Sequence, residues 1–184
     1  MSSDIIDVAI LCSGKATSFI EEDERFEIAG TVLKNTHVIL ERNDNVKNVG
    51  VSQGRKYEIE MAEDTYGHSI NIVPMSTRTL PYAMESGEVD AIVIDYMKAS
   101  TLNWNMVFPS KNKDYDTFSL VVKKDFKKSK EYKEFRHSYN KVVGYFNENN
   151  NFFNEVNNRS NIEKVDERRK QQWLNINMKI QILK

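Results

Sequence analysis

The chain has 184 residues, enough for one domain or two small lobes with a sizeable buried core, and with 40% hydrophobic residues global disorder is excluded. Its 26 basic and 27 acidic side chains leave a formal net charge of -1, which argues against nucleic-acid binding through bulk positive charge. The one cysteine, Cys12, excludes an intramolecular disulfide and a four-cysteine zinc site, and His37, His68 and His137 lie too far apart for a ligand spacing, so no metal or other cofactor is expected.

The first elements read as short strands, Asp7–Leu11, Glu27–Leu33 and His37–Glu41, with a short acidic helix near Thr17–Glu24. The run from Ile5 to Cys12 is too short to span a membrane, is broken by Asp7 and has no basic stretch before it, so it is not a secretory signal. No other run approaches the roughly 20 apolar residues of a transmembrane helix. The chain as given therefore reads as soluble and cytoplasmic, or as extracytoplasmic if it lacks its leader.

Residues 48–98 are the most regular part. Asn48–Ser52, Ile70–Val73 and Val89–Ile94 read as strands, separated by helices over Arg55–Tyr66 and Thr79–Ser86 that Gly67 and Gly87 end. Strand, helix, strand, helix, strand in this span implies parallel strands with right-handed crossovers. Met106–Phe108 and Thr117–Val122 follow as strands. A long amphipathic helix comes next, with Tyr132, Phe135, Tyr139, Val142, Val143 and Phe146 on one face. The asparagine-rich stretch 149–158 reads as a loop or helix end. Ser160-Asn-Ile-Glu163 has the form of a capping box opening a last helix that carries Ile162, Val165, Trp173 and Ile176.

Four turns sit where parallel strands end, the side on which such sheets bind ligands. Ser52-Gln53-Gly54-Arg55 precedes a helix N-terminus, whose free amides and dipole suit an anion. Ser76-Thr77-Arg78 precedes another, and Arg78 suits bidentate pairing with an anion. Asp95-Tyr96 follows the third strand, placing an acceptor and an aromatic ring at the same end. Ser13-Gly14 follows the first strand and permits close backbone approach, without the spacing of a P-loop. Each turn reads equally as an ordinary cap or crossover. Cys12 reads as a buried inert thiol. No Gly-x-Ser-x-Gly, His-Glu-x-x-His or Gly-x-Gly-x-x-Gly occurs, so no catalytic residue is assigned.

Val49-Gly-Val-Ser-Gln-Gly-Arg-Lys-Tyr57, Ile72-Val-Pro74 and Leu80-Pro-Tyr-Ala-Met-Glu-Ser-Gly-Glu-Val-Asp-Ala-Ile-Val-Ile-Asp95 together resemble the second lobe of type II periplasmic-binding-protein folds, the solute-binding components of ABC importers. The resemblance implies an α/β fold with parallel and mixed sheets in two lobes, the first reduced at its N-terminus. The first lobe would hold 1–47 and 99–158, the second 48–98, and the C-terminal helix 159–184. It further implies an interlobe cleft lined by Ser52, Gly54, Arg55, Ser76, Thr77 and Arg78, with Asp95 beside the hinge crossing and Ser13 and Gly14 facing them.

The expected function is binding of a small anionic solute, with no nucleic acid partner. Two other readings stand beside it. One is a cytoplasmic lyase or dehydratase on the same scaffold, with Asp95 or Tyr96 as acid or base. The other is a sensory module that forms a homodimer through its C-terminal helix.

Overall fold

The computed structural model describes residues 5–148, 151–159 and 167–184. Its elements in chain order are β1 (Val8–Cys12), α1 (Ser13–Glu22), β2 (Phe26–Lys34), β3 (His37–Glu41), β4 (Asn48–Ser52), α2 (Lys56–Tyr66), β5 (Asn71–Met75), α3 (Leu80–Ser86), β6 (Ala91–Asp95), α4 (Tyr96–Ala99), β7 (Asn105–Val107), β8 (Asp116–Lys123), α5 (Lys124–Lys127), α6 (Lys130–Phe146), α7 (Asn151–Arg159), α8 (Glu167–Ile176) and β9 (Lys179–Ile180). They form two compact units. Unit 1 takes the described residues up to Lys34 and from Phe118 onward, and unit 2 is Asn35–Thr117.

In unit 2 the strands lie in the order β5-β4-β6-β3-β7. β4 runs parallel to both β5 and β6, as the strand–helix alternation of the sequence implies. β3 and β7 are antiparallel additions to the same sheet. The sequence reading places residues 37–41 and 105–107 in the first lobe, whereas the sheet draws them into unit 2. Val38, Ile39 and Leu40 are apolar on both faces and wholly buried, which only an inner position can provide, and β3 lies between β6 and β7.

Side-chain alternation sorts the core of unit 2. Ile39, Val49, Val51, Ala91 and Val93 meet Tyr57, Met61 and Ala62 of α2. Gly50 faces the other side, where α3 packs so closely that an added Cβ would lie 3.1 Å from both Leu80 Cδ2 and Ile92 Cγ2. α3 ends at Gly87, whose φ of 79° is the left-handed conformation a helix C-terminus uses and glycine adopts without strain.

In unit 1 the order is β1-β8-β2-β9, with β1 antiparallel to β8 and β9 antiparallel to β2. Ala16, Phe19 and Ile20 of α1 pack on Val121. Tyr132, Phe135 and Tyr139 of α6 pack with Leu120 and Val122, the neighbours of Val121 that point to the opposite face. α6 starts where Ser129 Oγ accepts the Tyr132 amide at 3.1 Å, a side-chain N-cap.

Unit 1 departs from the sequence reading in four places. α1 begins at Ser13 rather than Thr17, so the small-residue turn is itself the first helical turn. Val142, expected on the inner face of α6, is 49% exposed. Asn151–Arg159 is a helix, because Phe152 meets the Trp173 ring edge-on and Phe153 meets it at a tilt, and this packing overrides the weak helix propensity of its asparagines. The last segment does not stay helical: α8 stops at Ile176, Asn177 takes a φ of 53°, and β9 then pairs with β2. Ser160–Glu163, Ile162 and Val165 lie outside the described residues. Among those residues, no helix is long and apolar enough to cross a membrane.

Candidate functional site

The parallel strands of unit 2 end together. Ser52 of β4 pairs with Met75 of β5, the Gln53 amide donates to Met75 O at 2.9 Å, and Asp95 closes β6 opposite His37 of β3. One rim of one sheet therefore carries Ser52, Gln53, Gly54, Arg55, Ser76, Thr77, Arg78, Asp95 and Tyr96. Ser13 and Gly14 stand in unit 1, at the start of α1, where Ser13 Oγ meets Ser119 Oγ at 3.0 Å.

The rim residues differ in what they offer. Gln53 and Gly54 are exposed, Gly54 has a φ of 80°, and nothing lies within 4 Å of where its Cβ would stand. Ser76 and Arg78 are exposed and Thr77 half-buried; the turn is closed by Thr79 Oγ1 donating to Ser76 O at 2.8 Å. Arg78 has no ion pair among the described residues. Tyr96, by contrast, is wholly buried, so its ring is core and cannot stack on a solute at the surface. Asp95 is half-buried and accepts the Met97 amide at 2.9 Å, which makes it the N-cap of α4. Burial pushes its carboxyl above the usual range, against the pull of that amide and of Lys98. Cys12 is half-buried rather than fully buried.

Arg55 is the least expected of the set. Its Nη1 lies 2.8 Å from Glu58 Oε1 and 3.0 Å from His37 Nε2. Guanidinium only donates, so Nε2 is the acceptor nitrogen and the ring proton sits on Nδ1, which donates to Thr36 Oγ1 at 2.9 Å. Glu58 Oε2 accepts the Ser52 amide at 2.5 Å. Glu58 is wholly buried and His37 is 1% exposed. Burial is the largest influence on both. It pushes the Glu58 carboxyl up, against the Ser52 amide and Arg55, and drives the His37 imidazole down to about 3, helped by Arg55 and Lys98. Ser52 is 3% exposed, and its hydroxyl has no hydrogen-bond partner among the described residues.

The sequence pattern alone does not single out His37 and Glu58. The signal for Glu58 was present: it stands at the third position of α2, three residues after Arg55, the spacing at which an acidic side chain reaches back over a helix N-terminus. Nothing local marks His37, whose partners come from other elements.

An open hollow of about 560 Å³ lies at the opposite end of the sheet, lined by Asn43, Asp44, Asn45, Lys47, Asn48 and Asp90. Asp90 there accepts the Lys47 and Asn48 amides at 3.1 and 2.9 Å, clasping the start of β4. Among the described residues no group of three His, Cys, Asp or Glu side chains could hold a metal ion.

No protein-family model matches this chain, and no curated protein matches it in sequence. Solved structures do match in shape. The alkanesulfonate-binding protein SsuA of Xanthomonas axonopodis pv. citri, bound to MOPS, superposes with a TM-score of 0.67 over 97% of this chain and 70% of its own, at 12% identity. The ligand-binding component of an ABC-type import system from Staphylococcus aureus, with zinc bound, gives 0.66 over 97% and 68%, again at 12% identity. An ABC transporter protein of Parabacteroides distasonis gives 0.53 over 76% and 56%, at 14% identity. At such identities the likeness is one of architecture: this chain has a periplasmic-binding-protein-like II α/β fold, on a chain shorter than either of the first two.

Proposed function

We propose that the chain binds a small polar solute at the rim of unit 2, as a relative of the solute-binding components of ABC importers. The observation that carries this reading is the convergence of two exposed, small-residue turns at the carboxyl ends of parallel strands, Gln53–Gly54 and Ser76–Arg78. An anionic group on the solute is supported by Arg78, which is exposed and has no ion pair among the described residues. Asp95 is occupied as a helix cap and Tyr96 is core, so no observation favours an acid–base enzyme at this rim.

Thermal-shift screening tests the proposal, since a solute that binds only the native state raises the melting temperature. The panel is alkanesulfonates and MOPS, amino acids, nitrate and short carboxylates. At about 100 times its Kd a true solute stabilises by about 2.7 kcal/mol, a shift of several degrees for a chain of this length. A panel that leaves the melting temperature unmoved contradicts the reading.

A further inference from the structure

Among the described residues, three of the four sheet edges are blunted. β7 and β9 are three and two residues long, and β5 carries Pro74, features that discourage a further strand. β1 is the exception. It runs for five residues, Val8-Ala-Ile-Leu-Cys12, with no charge, no proline and no bulge against β8. The hydrogen-bonding phase of its free side is fixed. Lys123 donates its amide to Asp7 O at 2.8 Å, so Asp7, and by alternation Ala9 and Leu11, turn their backbone groups toward β8. Val8, Ile10 and Cys12 turn theirs outward. Among the described residues the outward groups of Val8 and Ile10 have no backbone partner. Neither flanking helix covers Ile10. α1 lies over Val121, Phe26 and Ile28, and α6 over Leu120, Val122 and Val32, on the strands inward of β1. Ile10, in the middle of β1, is left 54% exposed.

An outward row at positions 8, 10 and 12 is symmetric about Ile10. It matches itself when a second copy runs antiparallel, Ile10 against Ile10 and Val8 against Cys12, so that outward amides meet outward carbonyls. The two-fold axis then stands perpendicular to the sheet, and α1 of both copies lies on one face. Asp7 shares that face with Leu11, which packs with α1, and comes opposite Ser13 of the second copy, the first residue of its α1. α1 has no side-chain cap and no acidic residue in its first turn, and that turn carries the exposed Lys15. Asp7 and Lys15 have no ion pair among the described residues. A second copy therefore brings a carboxylate to a helix N-terminus that lacks one, at both ends of the paired strands. An unrelated extended peptide would satisfy the backbone of β1 without supplying that charge.

We propose that β1 is the interface of a two-fold dimer, in which β1 of two copies pair antiparallel about Ile10 and each Asp7 faces the N-terminus of the other copy's α1. This is independent of the solute-binding reading. The ladder is short, so association with a Kd of about 1–100 µM is expected.

Sedimentation velocity on the full chain, from about 1 to 500 µM to span that range, tests it. The unmodified chain is expected to pass from monomer to dimer. Ile10→Lys is expected to stay monomeric throughout, since it sets like charges opposite each other at the axis. Its melting temperature when dilute should match the parent's, because the replaced side chain is exposed. Asp7→Asn is expected to weaken association by roughly 5-fold. The second measurement needs no destabilising change at the axis. In Ile10→Cys/Cys12→Ser the opposed Cα atoms would stand about 5.5 Å apart, within reach of a disulfide. Mild oxidation should then give a covalent dimer. Tyr82→Cys/Cys12→Ser, at a 70% exposed position of unit 2, should cross-link far more slowly. A chain that is monomeric at every concentration, a dimer that Ile10→Lys leaves intact, or cross-linking no faster at position 10 than at position 82 overturns the proposal. Indifference to Asp7→Asn overturns the register.

Discussion

His37 Nε2 and Arg55 Nη1 lie 3.0 Å apart, an imidazole accepting from a guanidinium in the interior of unit 2. The contact fixes the neutral tautomer of a histidine that is 1% exposed and ties the turn before α2 to the first residue of β3. A first expectation concerns acid. The folded imidazole takes a proton only near pH 3, whereas the unfolded one does so near its ordinary 6.5. Between those values the unfolded state binds more protons, so stability falls as the pH is lowered through that window. Glu58 and Asp95, both raised by burial, act in the opposite sense just above their ordinary values. Urea denaturation of the unmodified chain and of His37→Asn from pH 7 to 4 checks this: the variant should lose the acid-dependent slope. A slope unchanged by the substitution would show that another group sets it.

Removing the carboxylate beneath the turn should be costly. Glu58→Ala leaves the Ser52 amide and Arg55 without their buried acceptor, for a loss of about 2–4 kcal/mol in chemical denaturation. Arg55→Ala/Glu58→Ala should cost clearly less than the two single changes summed, since each single change strands the other charge. Additive losses would mean that the pair is not coupled.

Gly50 tests the packing that brings α3 onto the sheet. Gly50→Ala puts a methyl 3.1 Å from Leu80 Cδ2 and Ile92 Cγ2, so those two buried side chains must give by a few tenths of an ångström, and in this packed interior the change should cost about 1–3 kcal/mol. A stability equal to the parent's would show slack between α3 and β4 that the structure does not have.

The C-terminal strap should matter to unit 1. Leu183 is 2% exposed in the core beside Val32, Leu120 and Tyr132, and Asn140 brackets it, its side chain accepting the Leu183 amide and donating to the Leu183 carbonyl at 2.8 Å each. Leu183→Ala should therefore cost about 2–5 kcal/mol, whereas Ile182→Ala, 56% exposed, should cost little. Equal effects at the two positions would remove the strap from the account.

Much of unit 2 was legible from residue order alone. β3 and β4 begin and end where apolar runs meet His37, Glu41, Asn48 and Ser52, and Gly67 and Gly87 stop α2 and α3 as their backbone freedom allows. What escaped depends on partners distant in sequence. β3 joins unit 2 because β6 and β7 flank it, a choice no local pattern records. α7 forms because Trp173 waits for Phe152 and Phe153, and β9 forms because β2 offers an open edge. The rim itself was legible through Gly54 and the serine and threonine turns. The inward fate of Arg55 was not, because it depends on a histidine 18 residues earlier.

The most direct test is amide chemical-shift mapping by NMR on the labelled chain, titrated with whichever solute raises the melting temperature. The account predicts that saturating shifts centre on Gln53, Gly54, Thr77 and Arg78. Shifts that cluster instead around Asn43–Asn48 at the opposite end of the sheet, or that never saturate, would contradict it.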